Sequence, residues 1–561
     1  MSSATHHRLP LAGVLRLGRP SDIWFKPALS VVAAVAPPNL ILLALGRLDL
    51  AMYTMAGSLC ALYGHSRPYA ARARVLAWVA LGMVGGLTVS LLAASLTGNA
   101  VVLVTVGAAM AAVQKTVSDA ARLGPPGNVV LTFISSASLF APQTLGQVPG
   151  HVGLALAAGA WAWLVGMAPG LLRPYGPERR ATAQALDAAA AHADTRGTAG
   201  GHARARAASA AAIHAAWQSL LAAGARPDRT RRALERLLVR AEVALAAPAD
   251  TDPARLRAWA RELRGTGRIP RVRFPRESAD ELLGIDTELA YPRPPLRHRL
   301  APLAPIAART AIGCALAGYA SLALGVGRPY WALVTAASLY QANVTLTWNR
   351  GIQRVVGNLA GVLVFAAVAP LAHLHPVALV LCCLAFNFGA EALIARNYWL
   401  GTVCVTPMAL LITEFARAQD PAELITERVA DTLIGALVGF VAAVAVTNRR
   451  AGDRLEHALA TMERARENAA RLLAEPYPAP RALESARRSL AAALADLRAT
   501  ADAASGEWWQ RALPEERVVL AEQAGHRTLA ATVRRQGLVP QHQDPVDPVQ
   551  GPGRTTEDIR P

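Results

Sequence analysis

Lysine is nearly missing from this chain: Lys26 and Lys115 are the only ones, although lysine and arginine together number 57. So strong a bias toward arginine and alanine says little about chemistry, and the net charge of +18 with a pI near 10.6 does not by itself announce nucleic acid. Arginine-rich cytoplasmic loops of a multispanning protein produce the same excess, so no nucleic-acid partner is expected. Cysteine is also scarce. Cys60, Cys314, Cys382, Cys383 and Cys404 all fall in apolar windows without CxxC or metal-ligand spacing, which points to buried small hydrophobes and no metal site. Walker, HExxH, GxSxG and kinase signatures are missing too. The expectation is therefore no enzyme, no cofactor and no directly bound ATP. The basic start runs to Lys26 without an early apolar core or an A-x-A site, so the first span is expected to act as the insertion signal.

What the chain has in excess is apolar residues, 53% of the total, at a mean hydropathy of +0.27. With only 17% charged residues, that composition fits a folded protein when the apolar residues are segregated into membrane spans. Windows approaching or exceeding the roughly 17–25 residues that cross a bilayer recur at 27–46, 50–64, 75–97, 99–118, 129–145 and 151–172. Six more follow at 303–325, 330–346, 351–369, 376–392, 398–415 and 429–447. The expected fold is all-α and polytopic. Its parts are an N-terminus 1–26, a first membrane half 27–172, a helical domain 173–300, a second membrane half 301–447, a C-terminal helical domain 448–536 and a disordered tail 537–561. The polar middle carries 23 arginines against 14 acids between Arg173 and Arg299, with Ala-rich helical periodicity. Either helical domain is a candidate for homo-oligomerisation.

Basic residues mark one set of loops: Arg67, Arg72 and Arg74, then Lys115 and Arg122, the polar middle, Arg350 and Arg354, Arg396, and Arg449 with Arg450. The opposite set is nearly bare, so both termini are expected in the cytoplasm. The halves resemble each other. "YTMAGSLCALYG" at Tyr53 parallels "YWALVTAASLYQ" at Tyr330, and each precedes a basic loop and a GxxxG span, Gly82/Gly86 and Gly357/Gly361. Six spans per half predict parallel repeats related by an axis near the membrane normal.

Arg350 and Arg354 lie one turn apart at the mouth of an apolar span, with Gly357 and Gly361 just inside. The glycines permit close helix approach, which would draw the arginine face into the protein and offer fixed positive charge to an anion; snorkelling anchors are the alternative. Arg309, nearly two turns into its span, is a further pathway cation. The short spans 50–64 and 330–346 occupy matching places, as do 129–145 and 398–415, and such pairs mark binding sites at repeat interfaces. Thr132, Ser135, Ser136, Thr402 and Thr406, the last beside Pro407, either satisfy freed backbone groups or bind substrate. Asp431 either pairs with Arg428 one turn away or carries protons, Glu391 with Arg396 forms a lock or a relay, and Lys115 pairs with Asp119.

"RPYWALVTAASLYQANVTLTWNRGIQRVVGNLAG", "RNYWLGTVCVTPMALLITE" and "ERVADTLIGALVG" resemble the fusaric acid resistance protein-like, or aromatic acid exporter, family. The resemblance maps a tryptophan to Trp331, an RxxGTxxxG element to Arg354, Gly357, Asn358 and Gly361, and an RxxDTxxG element to Arg428, Asp431, Thr432 and Gly435; Asn358 stands where threonine is usual. It implies a multi-pass protein of the bacterial plasma membrane that exports small organic acids, aromatic ones above all, driven by protons. On this reading Arg309, Trp331, Tyr340, Asn343, Arg350, Arg354, Asn358, Tyr398, Thr402 and Thr406 line the substrate pathway, while Glu391, Arg396, Arg428 and Asp431 couple or gate. Gly82, Gly86, Gly357, Gly361, Gly435 and Gly439 pack helices. A passive organic-anion channel is the first alternative, and a membrane scaffold presenting its helical domains to partners is the second.

Overall fold

The computed structural model describes residues 11, 13–18, 24–195, 199–224, 228–265, 267–270, 300, 303–415, 419–446, 451–505 and 515–536. The expected tail 537–561 and the basic pair Arg449 and Arg450 lie outside these, as do most of the N-terminus and the segment 271–299. Among the described residues the regular structure is entirely helical. The first membrane half comprises α1 (Phe25–Ala44), α2 (Leu48–Leu62), α3 (Tyr69–Leu96), α4 (Ala100–Ala120), α5 (Val129–Leu139) and α6 (Leu145–Leu172). Polar helices α7 (Gly176–Asp194), α8 (Ala199–Ala222), α9 (Arg229–Ala246) and α10 (Pro253–Arg264) follow. The second half comprises α11 (Ala304–Ala323), α12 (Pro329–Leu339), α13 (Val344–Ala372), α14 (Pro376–Ile394), α15 (Tyr398–Thr413) and α16 (Pro421–Ala445). The chain then forms α17 (Ala451–Ala474), α18 (Pro480–Ser505) and α19 (Glu515–Arg535).

Polar side chains start many of these helices. Asn99, Asn343, Asn397 and Asp420 each accept a hydrogen bond from a backbone N–H of the first turn, the ordinary N-cap arrangement. All twelve expected spans fall on helices, but only α1, α3, α4, α6, α11, α13, α14 and α16 are long and apolar enough to cross a membrane. α5 and α12 each have 11 residues, a rise of about 16 Å, or roughly half the hydrocarbon thickness. The expected span 330–346 is divided because Tyr340 takes an extended backbone and Asn343 caps a new helix. α13 therefore begins at Val344 rather than 351 and runs for 29 residues.

Within the halves, α2 lies on α6 as α12 lies on α16, and α3 lies on α5 as α13 lies on α15. α1 packs on α14 and α11 on α4, so the first helix of each half meets the fourth of the other. The two polar regions, expected as separate domains, share one core. Leu186, Trp217, Leu237 and Leu256 pack with Met462, Leu490, Leu497 and Val533, and the Arg487–Glu242 ion pair crosses between the regions. The reason is amphipathicity: each of these helices has an apolar face that its sequence neighbours alone do not cover.

Candidate functional site

All four short helices, α2, α5, α12 and α15, contribute to the wall of one cavity of about 910 Å³ between the membrane halves. Leu59 and Leu62, Val130 and Phe133, Trp331 and Ser338, and Tyr398 and Thr402 come from these helices in turn. Phe133 stacks on Trp331 with ring centroids 5.5 Å apart, joining α5 of one half to α12 of the other. The charged wall is mostly cationic: Arg309, Arg350, Arg354 and Arg428 from the second half, and Lys115 and Arg122 from the first, against the acids Asp119 and Glu391.

Arg428 of α16 is 1% exposed, and its guanidinium lies 3.9 Å from the Trp331 ring centroid. Its Nη2 donates to Asn358 Oδ1 at 3.4 Å, while Nε and Nη1 have no hydrogen-bond partner among the described residues. Asn358 is itself held: Thr406 Oγ1 donates to its Oδ1 at 2.5 Å, and its Nδ2 donates to Thr432 Oγ1 at 3.0 Å. Arg354, also buried, donates from Nη1 to Tyr398 Oη at 3.2 Å, and Arg350 stacks 3.8 Å from the centroid of the same ring. Both arginines, which lie inside α13 and not at its mouth because the helix starts at Val344, thus turn toward protein. Arg309 Nε donates to the Val446 carbonyl at 2.5 Å.

Glycines bring the scaffold close enough for this. A Cβ on Gly357 would lie 2.6 Å from Thr402 Cβ, and one on Gly361 would lie 2.9 Å from the Val403 carbonyl oxygen. Pro407 has no N–H to offer Val403, so that carbonyl is free to face α13. Gly435 and Gly439 set α16 on α12, and Gly86 sets α3 on α5, where a Cβ would lie 2.6 Å from Ser135 Oγ, whereas one on Gly82 would make only an ordinary contact with Leu131.

Trp331, Tyr340, Arg309, Arg350, Arg354, Tyr398, Thr402, Glu391 and Arg428 lie on the cavity wall. Other expected site residues sit elsewhere. Asn358 and Thr406 are behind the wall, where Asn358 braces Arg428 and Thr406 in turn holds Asn358. Asn343 caps α13 and donates to the Ala503 carbonyl of α18 at 3.1 Å, beside Ala503 and Arg454, which close the cavity edge from the polar bundle. The expected Arg428–Asp431 pair does not form: Arg428 is drawn to Trp331 and Asn358, and Asp431 Oδ1 instead accepts from Ser321 at 2.6 Å. Glu391 makes no ion pair with Arg396, which is exposed and whose carbonyl accepts from Gly18 N. Lys115 and Asp119 do pair, at 3.0 Å, but on the cavity wall.

A strap formed by residues 13–18 was not foreseen from the sequence. Gln353 and Asn397 both donate to the Val14 carbonyl, and Trp399 Nε1 donates to that of Leu15, tying this segment to the third turn of α13 and to the start of α15. The contacts are side chain to backbone, so no residue type in 13–18 reveals them. The Trp331–Arg428 stack had a weak signal, because both residues occur in family-like elements, but nothing in their spacing joins them.

Residues 314–442 match the family described as fusaric acid resistance protein-like. An uncharacterized membrane protein of Bacillus subtilis (strain 168), YvaC, is 31% identical over 139 residues, 24% of this chain. The match covers 22% of YvaC, so the chain spans about a fifth of that curated relative's length. No solved structure matches. The matched residues run from within α11 to within α16 and contain Trp331, Arg354 and Arg428, and over them the chain is similar to the fusaric acid resistance protein-like family.

Proposed function

We propose that this membrane protein is a transporter, not an enzyme, and that it exports small organic anions, aromatic acids above all, through the cavity between two parallel repeats of six helices. One observation carries the reading: four helices too short to cross a membrane converge on a cavity whose buried arginines Arg354 and Arg428 retain unused N–H groups. A desolvated guanidinium with free donors attracts a carboxylate strongly, and the Trp331 and Tyr398 rings suit a flat apolar body. Repetition accounts for the matching contacts of α2 with α6 and α12 with α16, and for the reciprocal α1–α14 and α11–α4 contacts. Polar bundle and termini lie on the cytoplasmic side because the arginine-rich loops do. Glu391 on the wall and Asp431 behind it are the carboxylates available for proton coupling.

The test is flux of radiolabelled benzoate in proteoliposomes. Expected are saturable uptake, accumulation driven by an imposed pH gradient, and loss of flux in Arg354→Gln. Benzoate current with a reversal potential indifferent to the pH gradient would replace the transporter with a channel. Absence of benzoate flux, with the helical bundle still recruiting partners in Arg354→Gln, would leave the scaffold reading.

A further inference from the structure

A second cavity, of about 590 Å³, lies inside the polar bundle among α8, α9, α18 and α19. That volume is in the range of small-molecule sites. Its walls include Ile213, Trp217, Leu245, Leu494 and Leu529, and Gln218, Glu242, Arg487 and Arg488 are among the polar groups that also face it. Of the charged ones, Arg488 carries donors with no acceptor among the described residues. This residue is 4% exposed, its guanidinium lies 4.2 Å from the Trp217 ring centroid, and it also lines the cavity.

Hydrogen-bond accounting shows what is missing around Arg488. Glu484 approaches its Nε at 2.7 Å, but that carboxylate also receives Arg487 Nη2 at 2.6 Å and Gln536 Nε2 at 3.1 Å. Glu242 is occupied by Arg487 and by Trp217 Nε1, the latter at 2.8 Å. Arg231 and Glu235 nearby pair with each other at 2.9 Å. The cluster is balanced in charge yet short of acceptors, and Arg488 Nη1 and Nη2 have none among the described residues. His214 and His526 also line the cavity; burial lowers the pKa of both, that of His526 to about 4, so they stand neutral beside the site and offer hydrogen bonds without charge.

We infer that the cytoplasmic helical bundle binds a small apolar carboxylate, its two oxygens on the Arg488 fork and its body against Trp217 and the aliphatic wall. Leaving two guanidinium N–H groups buried and unpaired is costly, and a planar carboxylate fits that fork in the bidentate manner. The site is not isolated. α18 carries Arg488 and, about 22 Å further along its axis, Ala503, whose carbonyl takes the hydrogen bond from Asn343 at the rim of the membrane cavity. Occupancy of the bundle site is therefore reported to the start of α13 by one helix, a coupling that holds whether the membrane cavity serves a transporter or a channel.

Equilibrium dialysis of radiolabelled benzoate on the purified full chain tests this. Arg428→Gln provides the background, so that the membrane cavity contributes little. Saturable binding is expected, reduced at least tenfold by Arg488→Gln and by Ala491→Phe, which adds bulk to the cavity wall and leaves every charge in place. Benzyl alcohol should compete at least tenfold more weakly than benzoate. Benzoate should also slow hydrogen exchange over residues 344–350, and should fail to do so in Ala491→Phe. Binding unchanged in Ala491→Phe, or equal competition by benzyl alcohol, would overturn the inference even if Arg488→Gln did not fold. No saturable binding at all would overturn it as well.

Discussion

At the scale of single residues, the environment of each arginine separates its role from that of its neighbours. Arg350 and Arg354 have the same sequence signal, but Arg354 is buried with an unused Nε, whereas Arg350 is half-buried and lies flat on Tyr398. Arg428→Gln should reduce benzoate flux at least tenfold, equivalent to about 1.4 kcal/mol of binding. Trp331→Leu should act in the same direction but less, since a desolvated cation–π contact is worth roughly 2 kcal/mol, part of which the leucine's packing replaces. Proteoliposome flux at matched protein content checks both. Glu178 gives a separate, pH-dependent prediction. It is buried on α7 with Oε2 unpartnered, and burial raises its carboxyl to about 7 from the ordinary 4.5. Below about pH 4.5 both folded and unfolded chains hold the proton. Between there and pH 7 only the folded chain does, so this residue's contribution to stability is lost as pH rises through that window. Relative to the native chain, Glu178→Gln should therefore gain protection at pH 8 and little at pH 5, read by hydrogen exchange of α7 corrected for intrinsic rates. The guanidinium cluster was legible from sequence because arginines inside or at the edge of apolar runs are conspicuous. Their partners were not, because Asn358, Thr406 and Tyr398 are brought to them by helix crossings that no local spacing encodes.

At the scale of elements, the short helices do more than the long ones to shape the cavity. An 11-residue helix ends inside the apolar layer, so its terminal backbone groups have to find partners in protein or face a polar space. α5 and α12 meet through Phe133 and Trp331 near that space, and their partners across the glycine contacts fix how near they come. Gly361→Leu should be among the most damaging single substitutions in α13. It would push α13 off α15 at Val403 and Thr406, and overpacking of this kind costs about 1–3 kcal/mol before the site itself is disturbed. The expected result is a lower thermal midpoint in detergent and loss of flux, while Gly351→Leu, whose Cβ would meet only Leu339 Cδ2 at 3.9 Å, should spare the midpoint. Positions of the apolar helices were readable from hydropathy alone. Their ends were not: nothing in "ASLYQANVTLTW" reads as a stop until Tyr340 is seen extended and Asn343 capping the next helix, because apolar residues continue on both sides of the break.

At the scale of the whole molecule, the polar bundle is assembled from two regions that a complete membrane half separates in sequence. Its core draws Leu237 and Leu238 from α9 and Leu490 and Leu497 from α18, and the buried Arg487 answers Glu242 on one side and Glu484 on the other. The sequence predicts two amphipathic regions and is silent on their union, since an apolar face does not name what covers it. The arrangement implies that α7–α10 cannot complete their core until the second membrane half has been made and α17–α19 have followed. A chain ending at residue 447 should insert in the membrane but leave 176–264 open to protease, whereas the full chain should resist cleavage there. Supplying residues 451–536 as a separate polypeptide should restore resistance, and Glu242→Leu in the full chain should weaken it. Breaking a buried ion pair from one side typically costs about 3–5 kcal/mol where the remaining charge is left alone, and here less, because Arg487 keeps Glu484 while losing the partner that joins the two regions. Limited proteolysis with cleavage sites mapped by mass spectrometry distinguishes these outcomes. If 176–264 were equally resistant in the truncated chain, the shared core would not be what holds the bundle together, and the link from that bundle through Ala503 to Asn343 would lose its mechanical basis.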